Sequence, residues 1–345
     1  MTGSITAQRG RRGAIRRCWG GLAVLALLVL LPGAARAAVI RIGTISAAAA
    51  GPIFIAKEKG YFGAEGLETQ IVPCDTPESA AAAVASGAAD FGAGPVSAGL
   101  YGLAGQGPLR IIAGLYSEAP GFHLAAIIAS DPAYDQGLRS VKGMAGHSVA
   151  LAAPGSAAHY SLGLLAAKYG VDLATMRLVA APTPRDALGA LGANQAEMAI
   201  IPASAAEPAL KAGQAKLLGW VGDETPWQAG VSFTTARMLA DHSSTVQAFL
   251  RALRKGAHDY HDAFADPKGR PQDGPGAAEA LVIIGKYAHL APDQVRLGIA
   301  YVDAAARLER RDILHQLQWF KQQNLLGSID PGTVIAQDYV IPLPE

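Results

Sequence analysis

The residues of this chain best suited to bind a ligand are hydroxyls, glycines and histidines at the ends of predicted strands. In an open α/β sheet, ligands bind at the carboxyl ends of strands, where helix N-termini present free N–H groups. That rule selects residues 46–51, 94–97, 116–117, 154–157 and 202–204. None of these segments contains Lys or Arg, so an anion would be held by peptide N–H groups, hydroxyls and histidines. The segments do not exclude a neutral or aromatic ligand.

Ten residues in or beside these segments are the candidate ligand-binding residues: Ser46, Gly94, Ser97, Tyr116, Ser117, His123, Gly155, Ser156, His159 and Ser204. The serines have a second interpretation, because a hydroxyl beside a helix start also caps that helix. The two histidines have one as well, since a lone histidine is more often structural or solvated. The aromatic residues Trp220, Trp227 and Phe122 either wall an apolar pocket with Tyr116 or belong to the core.

Residues that would support catalysis or metal binding form no complete set in the sequence. His258, His261 and Asp262 lie on one predicted helix without a fourth ligand, which favours a solvated helix face. A Gly-x-Ser-x-Gly segment is missing, so no nucleophile turn is predicted. Cys74 is the one cysteine after residue 37, and a buried thiol is expected. We therefore expect no catalytic residue, no metal and no cofactor.

The elements that carry the candidate residues alternate between strand and helix. Residues 39–43 predict a strand, residues 51–59 a helix, and residues 67–72 a second strand. Such a β-α-β unit requires a parallel sheet and a right-handed crossover. From Ser243 onward, apolar residues recur at helical spacing. The sequence therefore predicts an α/β protein with mostly parallel sheets and a helical C-terminal part.

An internal repeat divides this α/β part into two. Residues 71–98 align without a gap with residues 178–205, which pairs Thr76-Pro77 with Thr183-Pro184 and Ser97 with Ser204. Each Thr-Pro pair predicts a helix N-terminus. Because a long period that occurs only twice indicates two similar lobes, we expect the two equivalent serines to face each other across a cleft.

The first 37 residues have the features of an export signal. Five arginines precede an apolar run from Gly21 to Leu31, and Ala35-Arg36-Ala37 is a small-x-small cleavage site. The run is too short to span a bilayer, so cleavage is expected. Cleavage would leave 23 basic and 28 acidic residues without a run of like charge. Nucleic acid is therefore not expected as a partner.

Three motifs carry a resemblance to a known family. They are Lys59-Gly60-Tyr61-Phe62 with Glu65-Gly66-Leu67, then Gly87-Ala88-Ala89-Asp90-Phe91, and Val141-Lys142-Gly143 with Pro154-Gly155-Ser156. They resemble the nitrate, sulfonate and taurine binding-protein family of ABC importers, which also includes binding proteins for thiamine-precursor pyrimidines. The likeness covers essentially the whole chain after residue 37. It departs at Gln195-Ala196-Glu197, where the family usually has a glycine and then Asp, a conservative change.

The resemblance implies a type II periplasmic binding-protein fold, with two β/α lobes joined by crossings near 122–128 and 230–236. Lobe 1 would contain residues 38–124 and 232–345, and lobe 2 residues 125–231. The implied function is a monomeric periplasmic receptor for a sulfonate, a nitrate-like anion or a small organic or aromatic solute. Its partners would be that small molecule and an ABC permease of the inner membrane with its ATPase. The alternatives are an enzyme on the same fold, in pyrimidine or menaquinone-precursor biosynthesis, and a periplasmic sensor domain.

Overall fold

A computed structural model describes residues 38–343 of the chain. The predicted export signal, residues 1–37, lies outside the described residues. None of the helices in residues 38–343 combines the length and the apolar character needed to cross a membrane.

Strands and helices alternate through most of this range. Its ten strands are β1 (Ala38–Ile45), β2 (Leu67–Cys74), β3 (Phe91–Pro95), β4 (Leu109–Glu118), β5 (Ala125–Ala129), β6 (Ser148–Leu151), β7 (Arg177–Ala180), β8 (Met198–Pro202), β9 (Lys216–Trp220) and β10 (Trp227–Thr235). The α-helices in residues 38–343 are α1 (Gly51–Glu58), α2 (Tyr61–Ala64), α3 (Pro77–Ala85), α4 (Ala98–Gly105), α5 (Asp131–Asp135), α6 (Ala157–Tyr169), α7 (Pro184–Gly192), α8 (Ala203–Lys211), α9 (Val221–Glu224), α10 (Ala236–Asp241), α11 (Ser243–Phe264), α12 (Ala277–Ala288), α13 (Pro292–Arg296) and α14 (Arg310–Gln322).

The strands form two five-stranded sheets with the same internal plan. The first sheet has the order β2-β1-β3-β10-β4 and the second the order β7-β6-β8-β5-β9. In each sheet the first three strands are parallel, as the predicted β-α-β units require. One antiparallel strand then lies between two strands that are distant from it in the chain: β10 between β3 and β4, and β5 between β8 and β9. This architecture confirms the predicted α/β class with two similar halves.

The repeat predicted from the sequence has a structural counterpart in the helix starts. Thr76 accepts a hydrogen bond from the Ser79 N–H at the start of α3, and Thr183 accepts one from the Asp186 N–H at the start of α7. In both cases the threonine N–H in turn donates to the side chain of the third helical residue. These reciprocal capping boxes confirm the predicted helix starts, because they satisfy backbone donors that the first helical turn leaves free.

The two inserted strands bring the chain from one sheet to the other and back. After β4 in the first sheet, β5 enters the second sheet, and after β9 the whole of β10 pairs in the first sheet. Pairing of β10 with β4 begins at Trp227, opposite Glu118. The division of the chain into lobes 38–124 with 232–345 and 125–231 stays a prediction.

The predicted helical C-terminal part is confirmed, and its helix α14 contacts both halves of the molecule. The Tyr101 hydroxyl of α4 donates to Gln316 Oε1 of α14 at 2.6 Å. From the second half, the Tyr160 hydroxyl of α6 lies 2.9 Å from Asp312 Oδ1 and 2.6 Å from His315 Nδ1. Helix α14 therefore connects the two halves of the molecule.

Candidate functional site

A cavity of about 290 Å³ lies where the carboxyl ends of the strands of both sheets meet, and we call it the central cleft. This is the edge that the general rule for open α/β sheets selects for ligands. Its walls are mainly small, aliphatic and aromatic side chains. The lining residues are Ile45, Ser46, Ala47, Ala48, Ala49, Pro95, Tyr116, Glu118, Leu124, Ala157, Ala158, Ser161, Pro202, Ser204, Trp227, Ala229, Leu290 and Gly298.

The wall formed by the first sheet is shaped by a close approach between a ring and a backbone. The ring of Tyr116 lies directly over Gly230 of the neighbouring strand β10, where a Cβ atom would fall 2.3 Å from a ring carbon. Only glycine leaves room for the ring at this position. Tyr116 is thereby held at the cleft surface while most of its side chain is buried.

The wall formed by the second sheet begins at the N-terminus of α6. Ser156 caps this helix by accepting a hydrogen bond from the His159 N–H at 3.3 Å. The capped first turns then present Ala157, Ala158 and Ser161 to the cleft. Small side chains here leave space for a ligand beside the helix, and Ser161 supplies a buried hydroxyl.

Of the ten candidate residues, three line the central cleft: Ser46, Tyr116 and Ser204. The equivalent serines of the repeat differ in their local roles. Ser97 is buried and caps α4 by accepting the Leu100 N–H at 3.2 Å. Ser204 is the second residue of α8, whose cap position is held by Pro202, and its side chain is therefore available to the cleft.

The remaining candidates lie around the cleft rather than in its lining. Gly94 is buried in β3 next to Pro95, and the Ser117 N–H donates to the Tyr301 carbonyl at 2.8 Å. His159 is buried and accepts the Gly155 N–H on Nδ1 at 3.1 Å. Burial lowers the pKa of His159, which favours the neutral imidazole in this acceptor role.

Gly155 forms a direct contact between the two halves of the molecule. Its carbonyl accepts the N–H of Ala98, the first residue of α4, at 2.9 Å. The backbone of Gly155 is left-handed, with φ of +85°, and a Cβ atom there would lie 2.9 Å from the Ala98 Cβ. Glycine is therefore required by conformation and by space.

His123 lies in a neighbouring cavity of about 320 Å³, lined also by Glu207, Asp273 and Arg296. Its ring stacks on Trp220 with centroids 4.2 Å apart, and Nε2 is 3.7 Å from Asp223 Oδ2. The side chain is 44% exposed. These contacts give His123 a position beside the central cleft and not on its wall.

Two cleft residues, Glu118 and Trp227, were not among the ten candidates. Glu118 is 2% exposed and Trp227 is 5% exposed, and the Glu118 Oε2 and Trp227 Nε1 atoms have no hydrogen-bond partner among residues 38–343. The segment selected from the sequence ended at Ser117, one residue before Glu118. An acidic residue at the end of a buried strand was the available signal. Trp227 was recognised only as an aromatic residue open to either interpretation.

The electrostatics of the central cleft are set by Glu118. None of the lining residues in the described part of the chain is Lys or Arg. Burial raises the pKa of Glu118 well above its usual value, the Gly222 backbone N–H opposes this, and the charge of Asp223 adds to it. The cleft is thus a mainly apolar site with a buried carboxyl, a buried indole N–H and the buried Ser161 hydroxyl.

The residues considered for catalysis or metal binding stay apart from the cleft. His258 Nδ1 lies 3.2 Å from Asp262 Oδ2, and both side chains are more than half exposed, while His261 Nδ1 lies 2.8 Å from the Val302 carbonyl. No group of three or more His, Cys, Asp or Glu within residues 38–343 is arranged to hold a metal. Cys74 is only half-buried, which corrects the prediction of a buried thiol, because β2 leaves alternate residues open to solvent.

Solved structures of binding proteins share this fold. The alkanesulfonate-binding protein SsuA from Xanthomonas axonopodis pv. citri, bound to MOPS, is 19% identical over 89% of this chain and 99% of its own, with a TM-score of 0.65. The aliphatic sulphonate binding protein SsuA from Escherichia coli is 15% identical over 89% and 94%, with a TM-score of 0.68. The nitrate-binding protein NrtA from Synechocystis PCC 6803 is 13% identical over 87% and 86%, with a TM-score of 0.67.

The chain therefore has the periplasmic binding-protein fold, with a cleft between its two sheets. The family model described as NMT1/THI5 like matches residues 48–269, and the chain belongs to this family. The resemblance predicted from the sequence motifs is confirmed. No curated protein sequence matches the chain significantly.

Proposed function

We propose that this protein is the solute receptor of an ABC importer, and that it binds a small molecule in the central cleft. The observation that carries the proposal is the cleft itself, which both sheets build from their strand ends and which contains two buried polar atoms without a partner in the described part of the chain. Pockets that bind small molecules are typically apolar with a few placed polar groups. Similar solved structures described as sulfonate-binding and nitrate-binding proteins support a receptor function over an enzyme on the same fold.

The cleft composition favours a small organic solute over a bare anion. A sulfonate or nitrate in this cleft would have to give up water without meeting a basic side chain on its walls, and desolvating an unpaired charge is costly. Apolar walls, with Tyr116 and Trp227, instead offer burial to a carbon-containing or aromatic ligand. A cleft of about 290 Å³ lies at the small end of ligand sites, which limits the solute to a few rings or less.

Delivery completes the proposed function. The chain is exported through its N-terminal signal, acts as a monomer in the periplasm, and closes around the solute by bending where the chain passes between the sheets. The closed form then docks on an inner-membrane permease with its ATPase. A sensor domain would present the same closed form to a signalling partner, and co-purification of the permease with ligand-loaded protein separates the two functions.

The test is a thermal-shift screen of the mature chain against sulfonates, nitrate, amines, amides and nitrogen heterocycles. A ligand at 100 times its dissociation constant adds about 2.7 kcal/mol to the free energy of unfolding. The matched variants are Ala158→Trp, which fills the cleft from its wall, and Val282→Trp, which lies on an exposed face of α12. We expect Ala158→Trp to abolish the ligand shift and Val282→Trp to keep it. Equal shifts in both variants would place the ligand outside the cleft.

A further inference from the structure

Glu118 and Trp227 form a pair at the base of the central cleft. They are register partners on the antiparallel strands β4 and β10, so their Cβ atoms lie about 5 Å apart on one face. Both side chains line the cleft, and each is more than nine-tenths buried. The Glu118 Oε2 and Trp227 Nε1 atoms have no partner within residues 38–343. Buried polar atoms without a partner are rare in native proteins, which marks these two as ligand contacts.

The surroundings hold the pair in place before any ligand arrives. The Gly222 backbone N–H donates to the Glu118 carboxyl, and Gly222 is so close to the Ala119 backbone that a Cβ would lie 2.4 Å from its oxygen. The Trp227 ring meets the edge of the Tyr160 ring, with centroids 4.9 Å apart. Because these contacts fix both side chains, a ligand can meet them without rearranging the cleft.

The charges around Glu118 select what the pair can bind. The charged side chain that acts on Glu118 is Asp223, which accepts the Gly121 N–H at 2.6 Å and is a like charge. A protonated Glu118 could donate to an oxyanion, but that anion would then lie near Asp223 with no basic residue on the cleft wall. An N–H group on the ligand meets the opposite situation, because a carboxyl oxygen accepts its hydrogen bond, and a cationic N–H group is also attracted by Asp223 and, when Glu118 is ionised, by Glu118. The Trp227 N–H, which only donates, needs an acceptor atom beside that group.

We propose that Glu118 and Trp227 recognise a nitrogen-containing solute through one N–H donor and one neighbouring acceptor, such as the edge of an amide. The N–H donates to Glu118 Oε2, and the acceptor receives the Trp227 indole N–H. This rests on the proposed function and narrows its solute class to N–H donors, excluding sulfonates and nitrate as the preferred ligands.

Three benzene derivatives test the pair: benzamide has the donor and the acceptor, benzamidine has cationic donors only, and benzenesulfonate is an anion. Calorimetric titration of the mature protein should show that benzamide and benzamidine bind and that benzenesulfonate binds more weakly than either. Glu118→Gln should weaken the binding of benzamidine by roughly tenfold to a hundredfold, the range expected for a lost hydrogen bond to a charged group. The same change should leave the affinity for benzenesulfonate unchanged or increase it.

Trp227→Phe keeps an aromatic ring and removes the indole N–H, so it should weaken the binding of benzamide severalfold more than the binding of benzamidine. Asp303→Asn is the control, because Asp303 accepts from Arg307 and backbone N–H groups and does not line the cleft. Tightest binding of benzenesulfonate, or no binding of the two nitrogen probes at millimolar concentration, would overturn the proposed pair. Such a result leaves the receptor function standing if the wider screen yields a ligand whose binding is abolished by Ala158→Trp.

Discussion

The buried carboxyl of Glu118 should make the stability of the ligand-free protein depend on pH in a defined direction. Its folded-state pKa is raised well above the usual 4.5, first by burial. Between these two values the native state holds a proton that the unfolded state lacks. The stabilising contribution is fully present below pH 4.5 and is lost as the pH rises through the folded-state pKa.

The magnitude follows from one proton. Above about pH 5, Glu118 should lower the free energy of unfolding by about 1.36 kcal/mol per pH unit until its folded-state pKa is passed. Glu118→Gln carries no such proton, so its stability relative to the native protein should rise with pH at that slope. Only the difference between the two proteins isolates Glu118, because His159, whose pKa is lowered by burial, contributes with the opposite sign.

The assay is urea unfolding of both proteins at several values between pH 5 and pH 8, without ligand. Asp303→Asn serves as the control, because the pKa of Asp303 is lowered and its contribution is complete above pH 4. Its curve should therefore run parallel to that of the native protein at lower stability. A parallel curve for Glu118→Gln as well would refute the raised pKa and the burial of the carboxyl from which it follows.

Three further predictions concern packing, capping and motion. Gly163→Ala in α6 places a Cβ 2.3 Å from the buried Trp319 ring and should cost about 1–3 kcal/mol in urea unfolding. In the control Gly189→Ala in α7, the added Cβ meets no described atom within 4 Å, and the free energy of unfolding should rise by about 0.5–1 kcal/mol. A loss of stability in both variants would show that the contact with α14 is not the cause. Thr183→Ala should cost about 1 kcal/mol of stability while Thr183→Ser costs little, and equal losses would argue against the capping box. If the halves close around the solute, solution scattering should show a smaller radius of gyration at ligand saturation, and an unchanged radius would contradict hinge bending.

The helix starts show how far local sequence carries. Thr76 and Thr183 each precede a proline and lie three residues before a polar side chain, and both form the predicted capping boxes. The residues involved are neighbours in the chain, so no distant contact is needed to specify them. The repeat also aligns Ser97 with Ser204, but Pro202 occupies the cap position of α8, so Ser204 lies inside the helix. In the register of the repeat, α8 therefore starts two residues earlier than α4, which makes Ser97 a cap and leaves Ser204 on the cleft wall.

The sequence by itself determined the alternation of strands and helices, the two-fold repeat and the family, because these depend on periodicity, on caps and on motifs within short segments. Only the tertiary structure decided which strand ends share a cavity. Glu118 and Trp227 are far apart in the chain and become register partners because β10 returns from the second half to pair antiparallel with β4. Their burial and their lack of a hydrogen-bond partner within residues 38–343 depend on that pairing, since solvent exclusion is a property of the assembled walls.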